Sequence, residues 1–336
     1  MPVARHPLAR ATLAAFLSCG LVAGASAADG GKVTIMVGGI AKLIYLPAKL
    51  TEQLGYFKDE GLDVDLLSQP AGVDAENELL AGAVQAVVGF YDHTIDLQSK
   101  GKDVKAIAVL AQVPGEVEVV SMKAAPALRS MADVKGKTLG VTGLGSSTSF
   151  LTQYLAQQHG IASTQYTMLP VGADASFIAA VRQGRIDAGM TTEPTVSLLE
   201  KAGDAKVLVD MRTADGTRAA LGGVYPGASV YVQSAWADTH KDEAAKLAHA
   251  FARTMQFIHT HSAEDIAAKM PADYQKDKAL YTSALKASLP MYTADARMPA
   301  GGPETVLKVL SGFNPSVKGK HIDLSKTYTD AFVTGK

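Results

Sequence analysis

Residues 46–66 read LPAKLTEQLGYFKDEGLDVDL, and the spacing of the apolar positions changes partway along. Leu46, Leu50 and Leu54 share one helical face, with Pro47 suited to a first helical turn and Gly55 to a C-terminal stop. From Leu62 the period drops to two: Leu62, Val64 and Leu66 alternate with Asp63 and Asp65, as in a strand with one buried face. Working outward, residues 33–37 form a β-rich run before this segment. After it come a helical pattern at 74–81, a strand at 84–89, a helix at 92–100 and a strand at 104–110. That is the rhythm of a parallel sheet wrapped by helices.

A second run of the same kind follows. It has strands at 117–122 and 138–142, a helix at 147–159 stopped by Gly160, a strand at 166–170, a helix at 174–183 and a strand at 186–190. It ends near 206–210 and a glycine-rich stretch at 221–223. After a strand at 229–233 the chain turns mainly helical, with segments at 238–261, 276–288 and 303–310. The expected fold is α/β with two lobes.

One internal echo relates the two runs. Gly72-Val73-Asp74 followed by Gly82-Ala83-Val84-Gln85-Ala86 is matched by Gly172-Ala173-Asp174 followed by Gly184-Arg185-Ile186-Asp187-Ala188. In both, an Asp is expected to cap a helix that a Gly closes before a short strand. Any helix-to-strand junction can look like this, so the echo supports duplication without requiring it.

The first residues carry only positive charge, at Arg5, His6 and Arg10, and lead into an alanine-rich apolar run that ends Ala25-Ser26-Ala27. Residues 1–28 therefore read as a secretory signal peptide, and the expected location is the periplasm. The run is short of the roughly 20 apolar residues a spanning helix needs, which weakens an anchor reading. The single cysteine, Cys19, falls inside it. A lipoprotein reading would place Cys19 at the new N-terminus, but Phe16-Leu17-Ser18 fits poorly before such a cut. Without residues 1–28 the chain has no thiol for a disulfide or a thiolate metal site. Roughly 308 residues remain, comfortable for two domains of about 150. Removing Arg5 and Arg10 leaves 30 basic against 33 acidic residues, with no long run of either sign. Neither a nucleic-acid nor an anionic-membrane partner is indicated.

The string Gly55-Tyr56-Phe57-Lys58-Asp59-Glu60-Gly61-Leu62-Asp63-Val64, preceded by Leu46-Pro47-Ala48-Lys49-Leu50, resembles the start of periplasmic substrate-binding proteins of nitrate/sulfonate/taurine-type ABC importers. Residues 133–141, the 184–188 turn and Glu193-Pro194 extend the resemblance from about Lys32 to His261. The resemblance implies a type II periplasmic binding protein fold with a two-strand hinge. Lobe 1 would comprise residues 29–118 and 226–336, and lobe 2 residues 119–225. It implies an ABC importer permease as partner, no catalytic activity and no cofactor; a monomer is expected. Gln85 departs from the family, which often has Asp there, and puts local helix–strand contacts in doubt. Thiamine-pyrimidine synthases resemble the same proteins and supply the enzyme alternative; a sensor docking on a membrane receptor kinase supplies another.

In open parallel sheets ligands bind beyond the carboxyl ends of the strands. There the sequence places Gly143-Leu144-Gly145-Ser146-Ser147-Thr148 at a strand-to-helix junction, where free N–H groups and hydroxyls can hold a carboxylate, sulfonate or carbonyl oxygen. An ordinary Ser cap explains one hydroxyl, not three in a row. As a dinucleotide fingerprint the string fails, because Thr148 stands at the third glycine and no acid follows near residues 166–167. In the first run Lys42 could supply positive charge, or be a solvated lysine, with Tyr45 as an aromatic wall. Tyr91 and His93 are expected to touch ligand, and Asp92 to be a helix cap. Gln112, Thr192 and Glu193 complete the circle, Glu193 as a candidate for a bond between lobes. The expected ligand-binding set is thus Lys42, Tyr45, Tyr91, His93, Gln112, Gly145, Ser146, Ser147, Thr148, Thr192 and Glu193. No metal site is expected, since His259 and His261 stand on different faces of a helix.

Overall fold

Apart from Met1, the computed structural model describes residues 32–334, so the signal-peptide reading of residues 1–28 lies outside the described residues. Among the described residues ten strands follow one another. They are β1 Lys32–Val37, β2 Asp63–Ser68, β3 Ala86–Phe90, β4 Val104–Val109, β5 Glu116–Ser121, β6 Thr138–Val141, β7 Thr167–Pro170, β8 Ala188–Thr192, β9 Ala205–Asp210 and β10 Ala228–Gln233. They form two five-stranded sheets, ordered β2-β1-β3-β10-β4 and β7-β6-β8-β5-β9. The chain passes from the first sheet to the second between Val109 and Glu116, and returns between Asp210 and Ala228.

The duplication goes beyond strand order. In each sheet the fourth strand is antiparallel to both neighbours while the rest are parallel. Each of these antiparallel strands also carries one register shift against its outer neighbour, at Val230/Tyr231 in one sheet and Glu118/Val119 in the other. Gln85 and Asp187 do the same job. Gln85 Oε1 accepts from Thr34 N at 2.8 Å and Asp187 Oδ2 from Thr138 N at 2.9 Å, tying each helix-to-strand turn to the strand beside it. An amide oxygen serves here as well as a carboxylate, so the departure at Gln85 costs no contact.

The helix caps differ from expectation. Ala71 and Ala173 occupy the cap positions of helices Gly72–Leu80 and Asp174–Arg182, and Asp74 and Asp174 lie inside the first turn. Acid in the first turn still favours the helix through its dipole. Gly82 and Gly184 do follow the two helices with positive φ, as expected. The long helical segment expected at 238–261 is broken at His240 into Ser234–Thr239 and Lys241–Thr260.

One large apolar cluster runs from Val33, Ile35 and Val37 through the C-terminal helices, where Phe57 meets Phe251 edge to face at 5.5 Å. A second, smaller one, including Val117, Val119, Phe177 and Leu199, covers one face of the second sheet. Among the described residues no helix is long and apolar enough to cross a membrane.

Candidate functional site

The segments after β1, β2, β3 and β6, with the last residue of β8 and the first of β5, meet around one cavity, lined by Lys42, Tyr45, Gly72, Phe90, His93, Glu116, Thr142, Ser146–Thr148 and Thr192, with Ile44 beside them. These are the strand ends of both sheets, the position at which open sheets take ligands. The space left is about 10 Å³, enough for roughly one water. As the sheets stand, the cavity is too small for an organic molecule.

Lys42 is buried and its ammonium bonds Gly38 O at 2.6 Å and Pro70 O at 3.2 Å. Its stem lies on Gly39, where φ is +116° and a Cβ would come within 2.5 Å of Lys42 Cε, so only glycine fits. Burial lowers the Lys42 pKa to about 8, against the pull of Asp174, Glu116 and Asp74. The ammonium stands 5.7 Å from the ring of Tyr45, which meets Phe90 edge to face.

His93 Nδ1 lies 2.6 Å from Glu76 Oε2, both residues buried. Burial opposes the charged ring, but the charge and hydrogen bond of Glu76, helped by Asp92 and Asp96, outweigh it and raise the pKa to about 9. The pair with Glu76 thus favours the charged ring at neutral pH. Its Nε2 is buried beside Gly72 with no hydrogen-bond partner among the described residues.

Asp92 is not a cap. It is fully buried, one position inside its helix, and its Oδ2 accepts from Ser147 Oγ at 2.6 Å and Tyr225 Oη at 2.8 Å. Ser146 Oγ likewise accepts from Val73 N at 3.2 Å, and Leu43 N donates to Glu193 O at 2.9 Å. Thr148 Oγ1 accepts from Thr142 N and pairs with Thr142 Oγ1 at 2.9 Å, which pins the turn that opens helix Ser147–Gln158.

Seven expected residues are brought together here: Lys42, Tyr45, His93, Ser146, Ser147, Thr148 and Thr192. Four are not. Tyr91 points into the core, its hydroxyl 2.5 Å from Thr327 Oγ1 and its ring against Tyr328, because the residue following a strand shares the strand's two-residue alternation. Gln112 donates to Pro290 O near the surface. The carboxylate of Glu193 pairs with Arg212 Nη1 at 2.6 Å and caps Ser197 N, leaving only its backbone carbonyl to bridge the sheets. Gly145 borders a separate hollow with Leu144, Phe150 and Phe313.

Glu116 was not expected. Burial, with Asp92 nearby, raises its pKa well above that of a free glutamate despite Lys42, and its Oε2 is buried with no partner among the described residues. Among the described residues no group of three or more His, Cys, Asp or Glu side chains could hold a metal.

Residues 46–265 match the family model described as NMT1/THI5 like, and the chain belongs to that family. A solved structure from Bordetella bronchiseptica RB50 is 35% identical with a TM-score of 0.86, over 90% of this chain and 96% of that one. The alkanesulfonate-binding protein SsuA from Xanthomonas axonopodis pv. citri, solved bound to MOPS, is 17% identical with a TM-score of 0.69, over 89% and 98%. The fold is thus that of type II periplasmic binding proteins, as the resemblance at residues 55–64 implied. Of sequence relatives, the 4-amino-5-hydroxymethyl-2-methylpyrimidine phosphate synthase THI13 of Saccharomyces cerevisiae (strain ATCC 204508 / S288c) is 26% identical over 163 residues, 48% of this chain. The chain spans about half the length of that synthase, 46%.

Proposed function

We propose that the chain is an exported solute-binding protein that captures a small polar or anionic organic molecule, a sulfonate or carboxylate, by closing two lobes on it and delivers it to an ABC importer. Lobe 1 is taken as residues 29–118 and 226–336 and lobe 2 as 119–225. The observation that carries this reading is His93 Nε2. A ring that Glu76 biases towards charge, lining the cavity with a buried Nε2 that has no partner among the described residues, is costly unless a guest completes it. Hydroxyls of Ser146 and Thr192 from the other sheet supply further contacts, so a guest touching both sheets favours the closed state.

A thermal-shift screen of small carboxylates, sulfonates and heterocycles on refolded protein tests this, because a ligand that binds only the folded chain raises its melting temperature. A rise with at least one class, lost in His93→Gln, is expected. No rise with any compound would overturn the reading. Relatedness to the fungal synthases motivates a second reading, pyrimidine synthesis, for which turnover rather than simple binding is the discriminating result.

A further inference from the structure

We propose that Glu116 is the specificity-determining residue of this cleft: its buried, unpartnered oxygen selects guests that bring a basic nitrogen, and it releases its proton to solvent when such a guest is seated. This rests on the solute-binding reading above.

The polar groups around the cavity are unequal. Lys42 spends two of its three N–H donors on Gly38 and Pro70, Ser147 spends its hydrogen on Asp92, and Thr142 and Thr148 bond each other. What is left for a guest is mainly donors: His93 Nε2, the third Lys42 N–H and the Thr192 hydroxyl. They serve the guest's acidic or carbonyl end. Asp92 and Glu118 also keep one buried oxygen each without a partner, but of the three acids it is Glu116 that lines the cavity, at the first position of β5, paired in the ladder with Thr192. The groups facing it are Lys42 from the loop after β1, Tyr45, Asp92 and His93 from helix Asp92–Ser99, Tyr225 from the return crossing, and Glu118 on its own strand. Burial first, then Asp92 and Glu118, oppose its ionisation, while Lys42 and the neighbouring His93 ring favour it, and the balance lies towards the protonated form.

An ammonium or protonated heterocycle reverses this balance. Placed against Oε2 it stabilises the carboxylate, so the carboxyl O–H bond breaks, the electron pair stays on oxygen and the proton leaves to the buffer. A guest with no such nitrogen leaves Glu116 neutral, still buried and short of one bond. The cleft should therefore discriminate by the nitrogen, not by the acid alone.

The probes are matched pairs: β-alanine against propionate, and 2-aminoethanesulfonate against ethanesulfonate. Titration calorimetry at pH 7 in phosphate and in Tris reads affinity and protons released. In the native protein the amino member of at least one pair is expected to bind at least tenfold more tightly, with about one proton released. Glu116→Gln, which mimics the protonated acid in shape, should bind both members within threefold and release none. A native protein that prefers the member without nitrogen, or a preference that survives in Glu116→Gln, overturns the proposal and leaves solute binding standing. So does binding of other screened compounds with none of the four probes; if nothing binds at all, both readings fall. A ligand-free check uses protein with ¹³C-labelled glutamate carboxyls. A resonance that titrates above the ordinary glutamate range and vanishes in Glu116→Gln is expected, and its absence would equally overturn the assignment.

Discussion

Ser147 Oγ reaches 2.6 Å to Asp92 Oδ2, so a residue hung from the second sheet holds one hung from the first. Ser146 repeats the link one position earlier, through Val73 N. Hydrogen bonds to charged groups contribute about 1.5–3 kcal/mol, and a cleft that loses both must close against that deficit. Ser146→Ala combined with Ser147→Ala should weaken the best ligand from the thermal screen at least tenfold, and small-angle scattering should show a less compact particle at equal ligand. Unchanged affinity and scattering would remove this turn from the site.

The His93–Glu76 pair makes stability fall in alkali. The folded pKa of His93 is raised to about 9 from an unfolded value near 6.5, so its contribution is complete below about pH 6.5 and disappears as pH climbs through 9. The difference in melting temperature between the native chain and His93→Gln should be largest near pH 6 and shrink steadily towards pH 10. A difference independent of pH would show that the ring is neutral in the fold.

Arg212 holds two carboxylates, Asp210 through Nη2 at 2.6 Å and the buried Glu193 through Nη1 at 2.6 Å. Removing one member of a buried pair typically costs about 3–5 kcal/mol, because the other charge stays behind. Arg212→Ala should cost about 3 kcal/mol in urea titration, at the low end because the guanidinium is partly exposed. Adding Glu193→Gln should recover part of the loss; a double variant no better than the single would argue that Arg212 acts through packing alone.

Gly189 in β8 lies so close to β6 that a Cβ there would sit 2.6 Å from Gly140 O and 2.9 Å from Phe177 Cζ. Its neighbour is backbone, which cannot turn aside. Gly189→Ala should destabilise by about 1–3 kcal/mol, the range for overpacking, and a neutral result in thermal unfolding would mean that the β6–β8 spacing relaxes freely.

Much of this architecture was legible in the spacing of residues. The change of period within residues 46–66 fixed a helix and a strand, and the glycines at 82 and 184 fixed where two helices end. The loop at 143–148 was legible because three hydroxyls in succession exceed what a cap needs. Orientation is what the spacing does not carry. Tyr91 follows Phe90 directly, and nothing in the residue names says that one ring faces the cavity and the other the core. Glu116 and Glu118 alternate with Val117 and Val119, a pattern that reads as a wet face against a dry one, yet both acids are buried. Burial on both faces depends on what packs over the sheet, helix Ser147–Gln158 and the crossing segments, and that information lies far away in sequence. Asp92 illustrates the same limit, since its partners Ser147 and Tyr225 are 55 and 133 positions distant.

The first sheet is finished by a strand made late. β10 seats between β3 and β4 and is the only neighbour each has on that side, yet it follows the entire second sheet along the chain. As the polypeptide emerges, residues 86–90 and 104–109 remain two open rows of amides until residues 228–233 arrive, the kind of exposed edge that invites pairing with another molecule. Nascent or truncated chains ending before Ala228 should therefore be sticky, which makes holding the polypeptide unfolded until synthesis is complete a benefit built into its threading.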